Sequence, residues 1–205
     1  VEEGVVNSSV QIYKKEQALE NMLYRRNVDS YAVGKLYKKA LFQEIRFPVG
    51  VLFEDTKTIY KVYDLIDKIA VSSQGLYYYL QRRGSIVNSS FDKKKMEQVR
   101  ASGEIVEFVS RKYPQLLLAA VSKYFIAAID VYRKIPNNVE YKKERKELEY
   151  IIRKYRKDVL KDKNNKLLTR VIALLAMISV SSLNYLGKIY QFLIRKRILK
   201  LKNPI

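Results

Sequence analysis

The pattern of apolar positions in the first fifty residues predicts helices that follow a short apolar stretch. Val10 and Ile12 end that stretch, and residues 27–31 are predicted to form a loop. Residues 35–42 carry apolar side chains at helical spacing, and residues 47–50 are typical of a turn. The apolar side of the first helix is predicted at Ala18, Leu19, Met22 and Leu23.

A second helix and two short strands are predicted between residues 54 and 79. Glu54 and Asp55 begin the helix, where exposed amide groups and the helix dipole favour carboxylates. Residues 69–71 and 76–79 are typical of strands, with a turn between them. We expect the buried side of the helix at Ile59, Val62, Tyr63 and Ile66, and its opposite face at Lys57, Lys61, Asp64 and Lys68.

The chain from residue 91 onward is predicted to be helical throughout. Helical segments are expected near residues 92–111, 115–134, 139–160 and 164–200, the last of them broken. Pro114 and Pro136 separate the first three, because proline does not continue a helix. The predicted fold is therefore α+β and mostly α, with an α/β section at 1–90, a helical section at 91–205, and a boundary near Ser89 and Ser90.

Two parts of the last helical segment differ in polarity. Residues 171–187 carry no charge, but they are shorter than the ~20 residues of a membrane span and include several serines, so a buried helix is favoured. Residues 186–202 combine an apolar face with six cations and no acid. Such a helix can lie on an anionic membrane, pack on the other helices, or pack on a second copy of the chain.

Charge and composition narrow the possible chemistry. The 205-residue chain has a formal net charge of +19, which indicates either an anionic partner, such as a phosphorylated substrate, nucleic acid or an acidic membrane, or simply lysine-rich, well-solvated faces. It has neither Cys nor His, so disulfides, thiolate metal sites and imidazole catalysis are excluded. Any acid–base chemistry must use Asp, Glu, Lys or Tyr. With no recognisable signal peptide, we expect a cytoplasmic protein.

Three motifs stand in order between residues 34 and 86. They read GKLYKK at 34–39, RFPVGVLFED at 46–55 and LYYYLQRRGSI at 76–86. In this order and spacing the chain resembles the C-terminal portion of family 2 glycosyltransferases of the bacterial surface-polysaccharide type. The resemblance implies an inverting hexosyltransferase of GT-A architecture, of which this chain carries the acceptor-side half of the α/β domain and a helical C-terminal region.

The resemblance also implies roles for individual residues. Asp55 matches the general base that deprotonates the acceptor hydroxyl, and Glu54 would steer Asp55 or contact the acceptor. Arg82 would bind the donor diphosphate or shape the acceptor pocket, since a guanidinium suits phosphate oxygens. The simpler alternatives are first-turn helix carboxylates and a surface cation. The residues carried over as substrate-binding are Arg82, Lys35, Tyr37 and Ser85.

The chain departs from the family in what precedes these motifs. No Asp-x-Asp metal motif and no nucleotide-binding half occur in it. The resemblance implies a divalent cation, Mg²⁺ or Mn²⁺, with its ligands outside this chain, a nucleotide-sugar donor and a glycan or polyprenol-linked acceptor. We therefore expect the chain alone not to turn over a nucleotide sugar. Val33, Gly34 and Val49 also differ from the usual family residues and weaken only the acceptor assignment.

Two other functional classes remain open. The chain could be a non-catalytic helical module that docks a partner, a membrane or a second copy, in which case Asp55→Asn would leave its function untouched. Nucleic-acid binding is the least favoured class, because it is supported only by charge and tyrosine content. If the basic tail binds lipid, we expect the protein at the inner face of the cell membrane. The donor sugar, acceptor, linkage and oligomeric state cannot be read from the sequence.

Overall fold

The structure is a computed structural model that describes residues 9–80 and 90–183. Over these residues the chain is mostly helical with one two-stranded sheet, which confirms the predicted α+β, mostly α class. The strands are β1 (Val10–Lys14) and β2 (Lys68–Ser72). The helices are α1 (Lys15–Leu23), α2 (Glu54–Leu65), α3 (Met96–Lys112), α4 (Leu117–Tyr132), α5 (Lys142–Lys161) and α6 (Leu167–Ile178).

Packing divides the chain into two compact units, with the boundary between Tyr124 and Phe125. The boundary falls inside α4, so this helix contributes residues to both units. The division predicted near Ser89 and Ser90 remains a prediction. Each unit is described below by itself.

The first unit is built on a hydrophobic cluster formed by α1, α2 and α3. Met22 of α1 and Ile59 of α2 lie on the buried sides that the apolar spacing predicted. Ile105 of α3 packs in the same cluster. All three side chains are fully buried. Full burial of such a side chain stabilises the folded state by about 1.5–3 kcal/mol. Ile66 lies just beyond the end of α2 and is only half-buried.

Two residues on the predicted opposite face of α2, Lys57 and Asp64, contact α3. Lys57 Nζ lies 2.9 Å from Glu97 Oε2 and 3.2 Å from Glu104 Oε1. At the other end of α2, Asp64 accepts hydrogen bonds from Lys112 and Tyr113. Both residues therefore tie α2 to α3.

The small sheet pairs two strands that are distant in sequence. β1 runs antiparallel to β2, with Ile12 opposite Ala70. The strand predicted at 69–71 is confirmed, but its partner is β1. Residues 76–79, predicted as the second strand, have no regular secondary structure, and Tyr78 is 93% exposed. The strand predicted at residues 76–79 is therefore wrong, because β1 takes the place of a partner beside β2.

The helix predicted at 35–42 is also wrong, apart from a short 3-10 turn at Lys39–Phe42. Two hydrogen bonds hold the preceding residues in a loop instead. Lys35 Nζ donates to the carbonyl oxygen of Tyr31 at 2.6 Å, and the Tyr37 hydroxyl donates to the carbonyl oxygen of Ala32 at 3.1 Å. Gly34, at a φ of +69°, supplies a left-handed bend that a helix does not contain.

The second unit contains α5 packed against α6. Leu148 and Ile152 of α5 are fully buried, and so are Ala173 and Ala176 of α6. At the end of α4, the buried Tyr132 hydroxyl donates to Glu149 Oε1 at 3.0 Å. It also accepts a 2.6 Å hydrogen bond from Arg145 Nη2, so one aromatic residue joins a polar network to the core.

α6 is not the buried helix that the charge-free segment 171–187 predicts. Its small alanines face the protein, whereas its large side chains Val171, Leu174 and Ile178 are exposed, Ile178 by 78%. The helix is therefore buried on one side only, since Ile172 and Leu175 are half-buried. The basic amphipathic helix predicted at 186–202 lies outside the described residues.

Within the described residues, one helical stretch is long and apolar enough to cross a membrane by length and composition. It runs from Pro114 to Tyr132. Most of it is buried inside the protein, as the core helix of a folded domain would be.

Candidate active site

Asp55 lies in the first turn of α2, directly after a sharp bend at Phe53. Phe53 adopts φ 60° and ψ 36°, the left-handed region, which costs a bulky residue about 1–3 kcal/mol. Such strain is often found at functional sites. The bend leaves Glu54 exposed and Asp55 half-buried, so Asp55 is not sealed in the core.

The Asp55 carboxylate is fixed through one of its two oxygens. The Thr56 backbone amide donates to Oδ1 at 2.6 Å, and the Thr56 hydroxyl lies 3.4 Å from the same oxygen. No side chain or amide of the described residues donates to Oδ2. The carboxylate is thus oriented by Oδ1, while Oδ2 retains its capacity to accept a proton.

The surroundings of Asp55 change its proton affinity. Burial raises the pKa of Asp55 above its usual value, and the Glu54 carboxylate acts in the same direction. The hydrogen bonds from Thr56 and the positive charge of Lys123 act against this rise. A carboxylate with a raised pKa is a stronger base and is therefore better suited to deprotonating a hydroxyl.

Tyr37 is a predicted substrate-binding residue with a half-buried hydroxyl. Burial, together with the negative charges of Asp29 and Asp55, raises the pKa of Tyr37 to about 12. Its ring packs edge-on against Phe42 with 5.3 Å between centroids. Tyr37 thus presents a neutral phenol at neutral pH, and the charge of Asp55 helps to keep it protonated.

Lys35, a second predicted substrate-binding residue, is already paired with other groups of the protein. Its ammonium lies 2.5 Å from Asp29 Oδ1, in addition to its bond to Tyr31. The Asp29 backbone carbonyl in turn accepts a 3.1 Å hydrogen bond from the Tyr63 hydroxyl. Lys35 therefore orders the loop that carries Tyr37. Arg82 and Ser85 lie outside the described residues.

Lys123 is a further residue whose positive charge acts on Asp55, and the sequence analysis missed it. It extends from α4, and its ammonium donates to Ser30 Oγ at 3.3 Å. The side chain is half-buried by accessible area, and the protein crowds its ammonium closely enough that burial lowers the pKa of Lys123 to about 8. The available signal was its isolation, because Lys123 is the only charged residue between Leu117 and Ile129.

The described residues contain no group of three acidic side chains placed to hold a metal ion. The divalent cation that the resemblance implies therefore has no ligand set in this part of the chain. The chemistry that follows uses only the protein's own side chains.

Two curated relatives are similar to part of this chain, both from Streptococcus pneumoniae serotype 4 (strain ATCC BAA-334 / TIGR4). Glycosyltransferase GlyG is 34% identical over 109 residues, which are 52% of this chain and 34% of that protein. Glycosyltransferase GlyA is 37% identical over 79 residues, which are 37% of this chain and 11% of that protein. The chain thus spans about a third or less of the length of these relatives.

Neither a protein-family model nor a solved structure matches the chain. The partial matches support the coarser part of the resemblance, which is a relationship to glycosyltransferases. These matches do not extend to the family 2 assignment, the GT-A architecture or the inverting mechanism, which are therefore proposals.

Proposed function

We propose that this chain supplies the base and the acceptor side of an inverting family 2 glycosyltransferase of GT-A architecture. The donor is a nucleotide hexose, and the acceptor is a glycan or a polyprenol-linked sugar. One observation carries the proposal: in a chain similar to glycosyltransferases, the half-buried Asp55 is oriented through Oδ1 and keeps Oδ2 able to accept a proton.

In the proposed reaction, Asp55 Oδ2 takes the proton of the acceptor hydroxyl as its oxygen attacks the anomeric carbon of the donor. The bond from that carbon to the diphosphate oxygen breaks, and its electron pair leaves with the nucleoside diphosphate. Attack from the face opposite the leaving group inverts the anomeric configuration. Glu54, which is exposed beside Asp55, would contact the acceptor or steer Asp55, and its charge helps to raise the Asp55 pKa.

The donor side of the reaction is proposed to lie elsewhere in the full-length protein. The resemblance implies a donor site with Mg²⁺ or Mn²⁺, and the chain spans only 34% of the length of Glycosyltransferase GlyG, so this site is proposed to lie outside the chain. The isolated chain is expected not to release nucleoside diphosphate. Sequencing upstream of the Val1 codon tests this division, because an in-frame nucleotide-binding half with an Asp-x-Asp motif is the expected finding.

The proposed base is tested by Asp55→Asn in the full-length natural protein. Nucleoside diphosphate release from a panel of nucleotide hexoses, with glycan and polyprenol-linked acceptors, should fall at least about 100-fold, because general base catalysis is lost. Asp67→Asn is the matched control, since it makes the same chemical change at an exposed position. If Asp55→Asn keeps the control's rate, Asp55 is not the base.

A second candidate function, docking on an anionic membrane, is favoured by the exposed apolar face of α6. Its large exposed side chains recur along the helix and lie beside the cations Lys166 and Arg170. An apolar face flanked by cations can enter the boundary of an anionic bilayer. The protein would then work at the inner face of the cell membrane. The exposed face comprises Leu167, Leu168, Val171, Leu174 and Ile178.

Flotation with vesicles of anionic or zwitterionic lipid tests this docking. The wild-type chain should float with anionic vesicles only, and the double variant Leu174→Ser, Ile178→Ser should remain in the soluble fraction. Truncation of residues 186–205 measures the separate contribution of the basic tail. Equal flotation of wild type and double variant would contradict docking through α6, and a dimer that dissociates in the double variant would assign the face to a second copy.

A further inference from the structure

We propose that the side chains of Tyr77 and Tyr79 form a stacking platform for a neutral hexose ring of the acceptor. This inference rests on the proposed function and deepens it, because it names a part of the acceptor and the residues that bind it. It is carried by the exposure of the two rings, by the distance between them, and by the contact of Tyr77 with the loop that contains Lys35 and Tyr37.

The segment from Leu76 to Leu80 exposes large side chains at five consecutive positions. Their exposed fractions range from 53% at Tyr77 to 93% at Tyr78. Single exposed apolar residues are common on protein surfaces, but consecutive runs are disfavoured unless a ligand or a partner covers them. A run of this length outside the core therefore indicates a binding surface.

Tyr77 and Tyr79 place their rings side by side on this surface. The ring centroids lie 6.4 Å apart, and the ring planes are inclined by 34°. Both residues are more than half exposed. Two neighbouring rings offer a larger apolar area than one ring, and their hydroxyl groups can both donate and accept hydrogen bonds. The pair thus combines an apolar surface with polar groups at its rim.

The chemistry of the segment selects the kind of ligand. Unlike most of this basic chain, residues 69–80 contain no charged side chain, so the segment does not favour an anion. A hexose has a face of C–H bonds, which suit the electron-rich face of an aromatic ring, and hydroxyl groups, which suit the tyrosine hydroxyls. Since the chain is similar to glycosyltransferases, a sugar is the neutral ligand that this surface fits.

Tyr77 lies against the loop to which the resemblance assigns contacts with the acceptor. A Cβ atom at Gly34 would lie 3.6 Å from both Cβ and Cγ of Tyr77, so the Tyr77 side chain packs directly beside Gly34. The next polar groups of this loop, the Lys35 ammonium and the Tyr37 hydroxyl, are bonded to other groups of the protein. The two exposed rings therefore offer the acceptor side a contact that Lys35 and Tyr37 do not.

Saturation-transfer NMR of this chain with the methyl glycosides of glucose, galactose and mannose tests the platform. For the sugar that binds best, the double variant Tyr77→Ala, Tyr79→Ala should weaken binding at least about tenfold, because two stacking contacts are lost. Tyr77→Phe, Tyr79→Phe should stay within about threefold of wild type, because the ring faces remain. Tyr150→Ala, which removes an exposed tyrosine from α5, is the matched control and should bind as wild type does.

Absence of saturation transfer to all three sugars in the wild-type chain would overturn the inference, as would equal binding by wild type and the double alanine variant. A dimer that dissociates in the double alanine variant, without sugar binding, would assign the rings to a second copy. If the double alanine variant unfolds at lower urea concentration, Tyr79→Ala decides instead. This single variant keeps the contact between Tyr77 and Gly34, and it should weaken binding about threefold.

The outcome is separate from the test of the proposed base. Sugar binding needs no turnover, so the chain carrying Asp55→Asn should bind the methyl glycosides as wild type does. In the full-length protein, the double alanine variant should raise the acceptor KM about tenfold and leave kcat and the donor KM unchanged, because the rings bind the acceptor without taking part in the reaction. An unchanged acceptor KM would contradict a role of the platform in acceptor binding.

Discussion

The two compact units differ in the side chains that carry their candidate functions. The first unit holds the half-buried charged residues Asp55 and Lys123, whose pKa values burial shifts. The second exposes large apolar residues, such as Leu174 and Ile178, on α6. Half-buried charges with altered pKa values are typical of sites that perform chemistry, whereas exposed apolar faces are typical of docking surfaces. We therefore expect substitutions in the first unit to change proton chemistry, and those on the α6 face to change association.

The largest expected effect on stability lies in the second unit, at Tyr132. Tyr132→Ala removes a fully buried ring and leaves Glu149 and Arg145 without their shared hydroxyl. We expect the free energy of unfolding to fall by about 3–5 kcal/mol, as for other buried aromatic truncations. Urea unfolding followed by circular dichroism measures this change. Tyr150→Ala, at an exposed position of α5, is the control and should change stability by less than about 0.5 kcal/mol.

A smaller effect is expected in the first unit, at the Asp64 link between α2 and α3. Asp64→Ala removes two hydrogen bonds to a charged group, which should cost about 2 kcal/mol. Although burial acts to raise it, the pKa of Asp64 is lowered by the hydrogen bonds from Lys112 and Tyr113. A lowered folded pKa means that the contribution is complete above the unfolded value and is lost as the pH falls through the folded one.

Wild-type stability should therefore decline more steeply with acid, below about pH 4, than that of Asp64→Ala. Unfolding midpoints measured from pH 7 to pH 2 check this difference. Asp67→Ala, at an exposed position, should follow the wild-type curve. Parallel curves for Asp64→Ala and wild type would show that Asp64 is not part of the acid response.

The smallest expected effect on stability is on the exposed face of α6. Leu174→Ala should change the free energy of unfolding by less than about 0.5 kcal/mol, because the side chain lies outside the packed interface. Leu148→Ala removes the same atoms from a fully buried position of α5 and should cost about 2–5 kcal/mol. A large loss for Leu174→Ala would mean that this face is covered in solution.

The sequence predicted features that depend on local periodicity and missed those that depend on distant partners. The helix starting at Glu54 was predicted with its buried side, because its apolar residues recur every three or four positions. The partner of β2 was missed, since β1 lies more than fifty residues earlier in the chain. The exposed side of α6 was missed for a related reason, because hydrophobicity alone does not show which face a neighbouring helix covers.

The residues of the candidate site show the same difference between local features, which the sequence predicted, and contacts with distant residues, which it did not. Asp55 and Tyr37 were predicted from ordered motifs, and the charge of Asp55 contributes to the raised pKa of Tyr37. The engagement of Lys35 by Asp29 could not be read from the sequence, because it depends on a loop rather than the predicted helix. Lys123 was missed because it belongs to a helix far along the chain from the motifs. The one sign in the sequence was that Lys123 is the only charged residue between Leu117 and Ile129.

The rate of nucleoside diphosphate release by full-length protein carrying Asp55→Asn, at saturating donor and acceptor, tests the role of Asp55 most directly. We predict a turnover number at least about 100-fold below wild type, with an unchanged unfolding midpoint. A turnover number within about twofold of wild type would contradict the assignment of Asp55 as the group that deprotonates the acceptor.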